Sequence, residues 1–297
     1  MNRTITGLFV TDLDGTLLTD KRDILKQEMD NLERLRQLNI GVAIATGRSL
    51  FSFNRLLEGD DSLKAGVLRG VDYVIFSTGA GLLDLGTDEI LQSHSLSVDD
   101  VLNISEYLEG LGVDYMVHAP IPETRKFVYR SQGKNNPDFS RRIELYSEFG
   151  ESVDKVRRSR VKGFGGATEV LCIASRERGH ELAQKIAAEL EEFSVIMATS
   201  PLDKQSVWIE IFHSLVSKSA SVEWLASSLG LTQEYVCGVG NDYNDQDMLQ
   251  WSAHSFIVEN GPSSMKDDYV TVSSNNDGGV SEAISRWLED GTFLCSE

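Results

Sequence analysis

The chain has 297 residues, enough for one large domain or two of ordinary size, and 41% of them are hydrophobic, which is typical of a packed globular protein. Its formal net charge of −18 makes nucleic acids and anionic membrane surfaces poor partners but leaves small anionic substrates open. The three cysteines (172, 237 and 295) have no metal or redox spacing, and no apolar run suits a signal or a membrane span. We therefore expect a cytoplasmic protein with neither nucleic acid nor membrane as partner.

The first predicted strand, Leu8 to Val10, ends in two aspartates separated by one leucine. Residues two apart in an extended segment share a face, so Asp12 and Asp14 should point together into one cleft. Two adjacent carboxylates repel each other unless a cation lies between them, and Mg²⁺ prefers such oxygen ligands. This stretch predicts a metal-assisted phosphate site at a strand end. An acidic surface turn is the alternative, whereas Gly15 comes too early for an EF-hand loop.

Strands and helices alternate after this turn. The predicted elements are a helix over 23–38, a strand over 41–45, a helix over 50–57 and a strand over 72–76. This order is typical of a parallel sheet with helical crossovers. Ligands bind at the carboxyl ends of such strands, and Asp12, Thr46 and Thr78 all fall there.

The pattern changes between residues 82 and 199, where helices and short strands no longer alternate regularly. The predicted elements are helices over 97–111, 141–149 and 179–191, and strands over 114–118, 127–129, 169–174 and 193–198. Strands with helices on one face are typical of an α+β unit.

After Pro201 the first pattern returns. The predicted elements are strands over 207–211, 235–239 and 255–258, and helices over 218–229 and 280–288, with a short helix ending at 249. This change and return predicts one core domain, residues 1–81 and 200–297, interrupted by an inserted domain at 82–199. The predicted fold class is therefore α/β, a Rossmann-like parallel-sheet core with an inserted α+β domain.

Four motifs fall at strand ends or helix starts along the predicted core. They are Asp12-Leu13-Asp14-Gly15-Thr16, Thr46-Gly47-Arg48, Lys218, and Asp242 with Asp245. Phosphoryl transfer needs a nucleophile, an acid–base group, donors for the phosphate, a cation and metal-binding carboxylates. In this order the motifs resemble the haloacid dehalogenase superfamily of phosphatases. More narrowly, the chain resembles the Cof-type branch, which has a type-two α/β cap inserted after the third core strand.

The resemblance covers essentially the whole chain and implies a role for each motif. Asp12 would be the nucleophile that forms an aspartyl-phosphate, and Asp14 the acid–base group. Asp12 and the main-chain carbonyl of Asp14 would also bind Mg²⁺. The implied phosphate-binding residues are Thr46, Gly47, Arg48, Lys218 and Asn260. Asn260 could equally be a turn residue before Gly261-Pro262.

The fourth motif departs from the family pattern, Gly-Asp-x-x-Asn-Asp, because Asn241 follows Gly240. Two readings stay open: the amide oxygen of Asn241 binds the metal, or a shifted turn brings in the carboxylate of Asp242. Asp245 matches the later aspartate and would bind the metal or orient its waters. The structural alternative is that one of these residues only caps a helix.

The leading hypothesis is a Mg²⁺-dependent phosphatase of small phosphorylated metabolites, with sugar phosphates as the first candidates. One alternative is a phosphosugar mutase of the same superfamily, in which a second sugar hydroxyl replaces water as the attacking group. Another is a non-catalytic metabolite-binding homologue, in which Asn241 weakens Mg²⁺ binding. The intact Asp12, Asp14, Thr46 and Lys218 argue against that last reading. The sequence does not predict the oligomeric state.

Overall fold

An eight-stranded sheet carries the first predicted strand near its centre. In spatial order the strands are β14 (Val270–Val272), β13 (His254–Val258), β12 (Val236–Gly240), β1 (Gly7–Thr11), β2 (Ile40–Ala45), β3 (Tyr73–Phe76), β4 (Gly81–Asp84) and β5 (Glu89–Ser93). This is a computed structural model, and it describes residues 4–133 and 135–291. The strands from β14 to β3 are parallel, and β4 returns antiparallel to β3. The predicted α/β class with a parallel-sheet core is confirmed.

Helices cover both faces of this sheet. They are α1 (Lys26–Gln37), α2 (Leu50–Glu58), α3 (Asp61–Gly70), α8 (Lys218–Ser228), α9 (Gln246–Trp251), α10 (Ser263–Lys266) and α11 (Gly279–Asp290). Leu8 and Val10 pack in one cluster with Val222 of α8, whereas the ring of Phe9 lies 6.0 Å from that of Trp287 on α11. Because neighbouring residues of β1 are buried on opposite faces, the strand is apolar throughout rather than alternating.

A buried carboxylate joins α1 to α11. Glu28 is fully buried, and its Oε1 accepts hydrogen bonds from the main-chain N–H groups of Val280 (3.1 Å) and Ser281 (3.3 Å). Its Oε2 has no hydrogen-bond partner among the described residues. Burial raises the pKa of Glu28 to about 7, although the two N–H groups act in the opposite direction.

A second sheet has six strands. In spatial order they are β10 (Phe193–Thr199), β11 (Val207–His213), β9 (Glu169–Ala174), β6 (Tyr115–His118), β7 (Phe127–Arg130) and β8 (Gly150–Ser152). The accompanying helices are α4 (Val98–Leu111), α5 (Pro137–Leu145), α6 (Arg158–Phe164) and α7 (Arg176–Glu189). Neighbouring strands are antiparallel except β7 and β8. This sheet has its own apolar core.

The chain divides into two compact units at positions that differ from the predicted boundaries. The first unit comprises the chain up to residue 48, residues 53–92 and the chain from residue 217; the second comprises residues 49–52 and 93–216. The strand predicted in the resumed core, β11, lies in the second sheet between β10 and β9. The hairpin of β4 and β5, which falls inside the predicted insert, belongs to the first sheet. The sequence prediction assigned β11 to the core because its residues Val207 to Phe212 are all apolar or buried, as in a central parallel strand.

Two of the three cysteines can be placed. Cys172 and Cys237 are buried free thiols in β9 and β12, as expected for core residues. Cys295 and Lys134 lie outside the described residues. Within the ranges 4–133 and 135–291, no helix has both the length and the apolar character needed to cross a bilayer.

Candidate active site

The carboxyl end of β1 places Asp12 at the edge of the first sheet. The N–H of Asp12 donates to the carbonyl of Val239 in β12 (2.9 Å), and its side chain is buried. The chain then turns at Gly15, which has a φ of +82°. A β-carbon at Gly15 would come 2.7 Å from the side-chain amide of Asn241, so this turn requires glycine on two counts.

Lys218 reaches this strand end from the first turn of α8. Its ammonium group is fully buried and lies 2.7 Å from Asp12 Oδ1 and 2.5 Å from Asp245 Oδ1. Ser217 caps the helix by accepting the N–H of Ala220 (3.1 Å). Asp247 accepts both the N–H and the hydroxyl of Ser219, at 2.9 and 2.8 Å, so α9 fixes the start of the helix that carries the lysine.

The neighbouring charges shift the pKa values of Asp12 and Lys218. Burial and the neighbouring Asp245 raise the pKa of Asp12 to about 7, against the lowering effect of Lys218. Burial acts to lower the pKa of Lys218, but Asp12 and Asp245 outweigh it and hold the pKa above its usual value. The ammonium therefore stays charged at the position where a phosphoryl group bound to Asp12 would need a cation.

Asp14, two residues after Asp12, is held by Arg48. The guanidinium donates Nε–H to Asp14 Oδ2 and Nη2–H to Oδ1, both at 2.6 Å, in a bidentate pair. The main-chain N–H of Arg48 donates to the hydroxyl of Thr46 (3.1 Å). This hydroxyl accepts the bond and can still donate its own O–H to another acceptor. The structure thus brings Thr46, Gly47 and Arg48 to the site, but here Arg48 engages the predicted acid–base group.

A strained turn, Ser77–Gly79, connects the loop of residues 46–48 to α8, the helix that begins with Lys218. The N–H groups of Ser77 and Thr78 donate to the carbonyls of Arg48 (2.8 Å) and Thr46 (3.0 Å). On its other side, the carbonyl of Gly79 accepts the hydroxyl of Ser221 in α8 (2.9 Å). The φ angles of Ser77, Thr78 and Gly79 are +48°, +55° and +104°. Such strain in a β-branched residue persists only where surrounding contacts enforce it.

The fourth motif places its three polar residues in different environments. The side chain of Asn241 faces Asp12, whereas Asp242 Oδ1 accepts the N–H of Tyr243 (2.9 Å) and caps the turn Tyr243–Asp245. Asp245 is fully buried, and its Oδ2 accepts the N–H groups of Asn241 (2.8 Å) and Asp242 (3.0 Å). With Lys218 on its other oxygen, Asp245 holds the ammonium and the Asn241 loop in fixed relation.

The residues around Asn241 fit a Mg²⁺ ion. One atom of the Asn241 amide lies 3.0 Å from Asp12 Oδ2 and 3.2 Å from the main-chain oxygen of Asp14. Oxygens bound to adjacent octahedral positions of Mg²⁺ are about 2.9 Å apart, since each lies at about 2.0–2.1 Å from the ion. Within the described part of the chain, no group of three or more His, Cys, Asp or Glu side chains could hold a metal. The donor set instead combines a carboxylate, a carbonyl and an amide.

Asn260 binds the chain itself. Its Nδ2 donates to the carbonyl of Gly15 (2.7 Å), and its Oδ1 accepts the N–H of Asn275 (2.9 Å). The buried Asn275 in turn donates to the carbonyl of Leu18 (2.9 Å). The predicted phosphate-binding residue therefore anchors the Asp14-Gly15-Thr16 turn, and both ends of its amide are engaged in doing so.

Several residues at the site were missed by the sequence reasoning. Asn244, Asp247 and Asn275 lie against its loops, while Thr16 was named in the first motif without a role of its own. Asn244 lies beside Gly47 and Thr78, since a β-carbon at Gly47 would be 3.8 Å from its amide. It occupies the asparagine position of the Gly-Asp-x-x-Asn-Asp pattern, so the motif itself carried the signal. Asp247 and Asn275 had no such signal, because their hydrogen-bond partners are distant in sequence.

Comparison with known proteins identifies the family. The sequence profile of the haloacid dehalogenase-like hydrolases matches residues 9–284. The chain belongs to this family. A Streptococcus pyogenes serotype M6 protein with a provisional phosphatase name is 26% identical over 283 residues, covering 95% of this chain and 98% of that protein. The 5-amino-6-(5-phospho-D-ribitylamino)uracil phosphatase of Bacillus subtilis is 22% identical, covering 93% and 96%.

A solved structure shows the same fold. It is described as a sugar phosphatase of subclass IIB in this superfamily, and it covers 95% of this chain and 98% of its own at 15% identity, with a TM-score of 0.70. The predicted superfamily and its Cof-type branch are confirmed.

Proposed function

We propose that this protein is a Mg²⁺-dependent phosphatase that hydrolyses small phosphorylated metabolites, with sugar phosphates as the first class to test. The family and the phosphatase names of its relatives support the reaction class. The observation that carries the proposal is the buried contact between Asp12 and Lys218 at the end of β1, beside Asp14 and Asn241. This arrangement offers a carboxylate and a fixed positive charge to one phosphorus atom.

The reaction would proceed in two displacements. A carboxylate oxygen of Asp12 attacks phosphorus, the bond to the ester oxygen breaks, and Asp14 donates its proton to that leaving oxygen. Asp14 then takes a proton from water, which attacks phosphorus, breaks the bond to Asp12 and releases phosphate. Because Arg48 binds both oxygens of Asp14 in the structure, this pair has to open for each proton transfer.

Other residues would hold the phosphoryl group and the metal. The hydroxyl of Thr46 and the N–H of Gly47 would donate to phosphoryl oxygens, while Lys218 neutralises charge between Asp12 and the phosphate. Asp12, the carbonyl of Asp14 and Asn241 would bind Mg²⁺, which when bound offsets negative charge on the phosphoryl group. Asp245 would act as a positioning residue for Lys218 and the Asn241 loop. The engaged carboxylate of Asp242 would not bind the metal directly.

The second unit, which corresponds to the predicted inserted cap domain, would select the leaving group. The curated relatives support a small phosphorylated metabolite as substrate, since one of them is named for a phosphorylated ribityl compound. A cytoplasmic location agrees with such a substrate.

The test is a panel of phosphate esters assayed for free phosphate with Mg²⁺ and with a chelator, using the wild type and Asp12→Asn. We expect metal-dependent phosphate release, and a loss of at least about a thousand-fold in the variant. Thermal unfolding of both proteins checks that the variant is folded. Equal turnover by Asp12→Asn would overturn the assigned nucleophile. An isomerised ester without free phosphate would favour a mutase.

A further inference from the structure

The side-chain amide of Asn241 can face its neighbours in two orientations, with either Nδ2 or Oδ1 toward them. One amide atom lies 3.0 Å from Asp12 Oδ2, 3.0 Å from Thr16 Oγ1 and 3.2 Å from the carbonyl oxygen of Asp14. If that atom is Nδ2, its two N–H bonds face three acceptors. If it is Oδ1, it faces Asp12 Oδ2 and the carbonyl oxygen of Asp14. When Asp12 is ionised neither of these oxygens has a proton to donate, and a cation shared with them makes the contact favourable.

We propose that Asn241 is a metal-responsive rotor, with Nδ2 filling the site when it holds no cation and Oδ1 turning in to bind Mg²⁺. This inference rests on the proposed function, because it concerns the proposed metal site. It assigns to the asparagine a property that an aspartate at the same position cannot have, since a carboxylate has no N–H to donate.

The surroundings of Asn241 suit a rotation confined to its side chain. Its main-chain N–H is fixed by Asp245 Oδ2 at 2.8 Å, so the loop stays in place while the amide turns. The terminal torsion of asparagine is soft, and amide oxygen and nitrogen have nearly the same size. The hydroxyl of Thr16, 3.0 Å away, serves both orientations because it accepts from Nδ2 or donates to Oδ1.

Two opposite consequences follow for the metal-free and metal-bound protein. Without metal, the amide joins the Asp12, Asp14 and Thr16 segments of the motif, whereas an aspartate would place a second carboxylate against Asp12. With metal, the asparagine supplies one negative charge fewer, and its hydrogen bonds to Asp12 and Asp14 must first break. The wild type should therefore be more stable without Mg²⁺ and bind it more weakly than Asn241→Asp.

The experiment compares the wild type, Asn241→Asp and Asp242→Asn. Each is unfolded thermally in a chelator and in a Mg²⁺ series, and Mg²⁺ affinity is measured by titration calorimetry. We expect Asn241→Asp to have the lower Tm in chelator, the larger rise in Tm with Mg²⁺, and a dissociation constant at least about ten-fold smaller. Asp242→Asn is the matched control and should follow the wild type, because the Asp242 carboxylate caps its own turn.

A second readout follows the rotor directly. With ¹⁵N-labelled asparagine side chains, the Nδ2–H₂ signals assigned by their loss in Asn241→Asp should shift on adding Mg²⁺ to the wild type. An equal or higher Tm of Asn241→Asp in chelator would overturn the rotor, as would equal Mg²⁺ affinity of the two proteins; the proposed phosphatase would stand in either case. If neither the wild type nor any variant bound Mg²⁺, and the chelator did not change phosphate release, both the rotor and the proposed metal requirement would be wrong.

Discussion

At the scale of single residues, two buried carboxylates of the first unit are stabilised in different ways. Asp12 has the ammonium of Lys218 at 2.7 Å, which offsets part of the cost of burying its charge. Glu28 is held by two main-chain N–H groups at the start of α11, and its Oε2 has no hydrogen-bond partner in the described chain. Burying the charged form of Glu28 therefore costs stability as the pH rises.

We expect Glu28→Gln to remove a pH dependence of folding stability. The pKa of Glu28 in the folded protein, about 7, lies above the ordinary value of 4.5, so the folded state binds the proton more tightly. The stability contributed by this proton is full below pH 4.5 and is lost as the pH rises through 7, by up to about 3 kcal/mol. Glutamine keeps an acceptor for Val280 and Ser281 but does not titrate.

Urea unfolding at pH 5.5 and pH 8 measures this difference. The wild type should lose more stability between the two values than Glu28→Gln does. Asp30→Asn, which removes an exposed carboxylate of the same helix, should keep the wild-type dependence. Parallel pH profiles for the wild type and Glu28→Gln would show that Glu28 does not carry the effect.

The same residue scale shows which site residues can be predicted from sequence. The positions of Asp12 at the end of β1 and of Lys218 at the start of α8 were predictable, because each adjoins an element with a regular apolar pattern. The contacts of Arg48 with Asp14 and of Asn260 with Gly15 were not predictable. Each joins residues that are far apart in sequence, so no local pattern indicates that they meet. The proposed choice of Asn241 over Asp242 also rests on the structure, because the sequence did not show which side chain caps the turn.

At the scale of elements, the turn Ser77–Gly79 connects two parts of the candidate site. Its N–H groups hold the loop of Thr46 and Arg48, and its carbonyl holds Ser221 of α8. Gly79 is packed so closely that a β-carbon there would lie 2.3 Å from the carbonyl oxygen of Ser217, the residue before Lys218. Any enlargement at Gly79 should therefore displace the lysine.

We expect Gly79→Ala to destabilise the protein by about 3 kcal/mol or more and to lower phosphate release sharply. The change combines an unfavourable positive φ with a backbone clash that moves the start of α8. Gly230→Ala is the matched control, because Gly230 also has a positive φ (+75°) but a β-carbon there meets nothing within 4 Å. That control should cost about 1 kcal/mol and leave turnover unchanged.

Urea unfolding and the phosphate assay together measure both effects. If the two alanine variants were equally stable and equally active, the turn would have no positioning role. Sequence could not reveal this role, because Ser77, Thr78 and Gly79 look like an ordinary loop after a strand. The long periodic elements were predictable for the opposite reason, since burial of one helix face or a whole strand leaves a regular apolar pattern.

At the scale of the whole molecule, each of the two units has its own sheet and its own apolar core. In the second sheet β11 lies second from one edge, and it joins β10 on one side and β9 on the other over most of its length. A unit with a separate core is expected to fold alone. The end points of such a fragment then decide whether it contains every strand that it needs.

We expect a fragment of residues 93–216 to fold cooperatively and a fragment of residues 82–199 to fail. The shorter end point removes β11, which leaves β10 and β9 without their shared partner. Far-UV circular dichroism and urea titration compare the two fragments. Cooperative unfolding of the 82–199 fragment alone would instead support the boundary predicted from the sequence.

The main segment of the second unit, residues 93–216, begins and ends at neighbouring points. The imidazole rings of His94 and His213, near its two ends, stack with centroids 5.8 Å apart. A segment whose entry and exit adjoin can be exchanged as a cassette, because a replacement of different length or shape needs only to span the same small gap. Recombination at these two joints would let one hydrolytic centre acquire new substrate ranges without redesign of its catalytic strands.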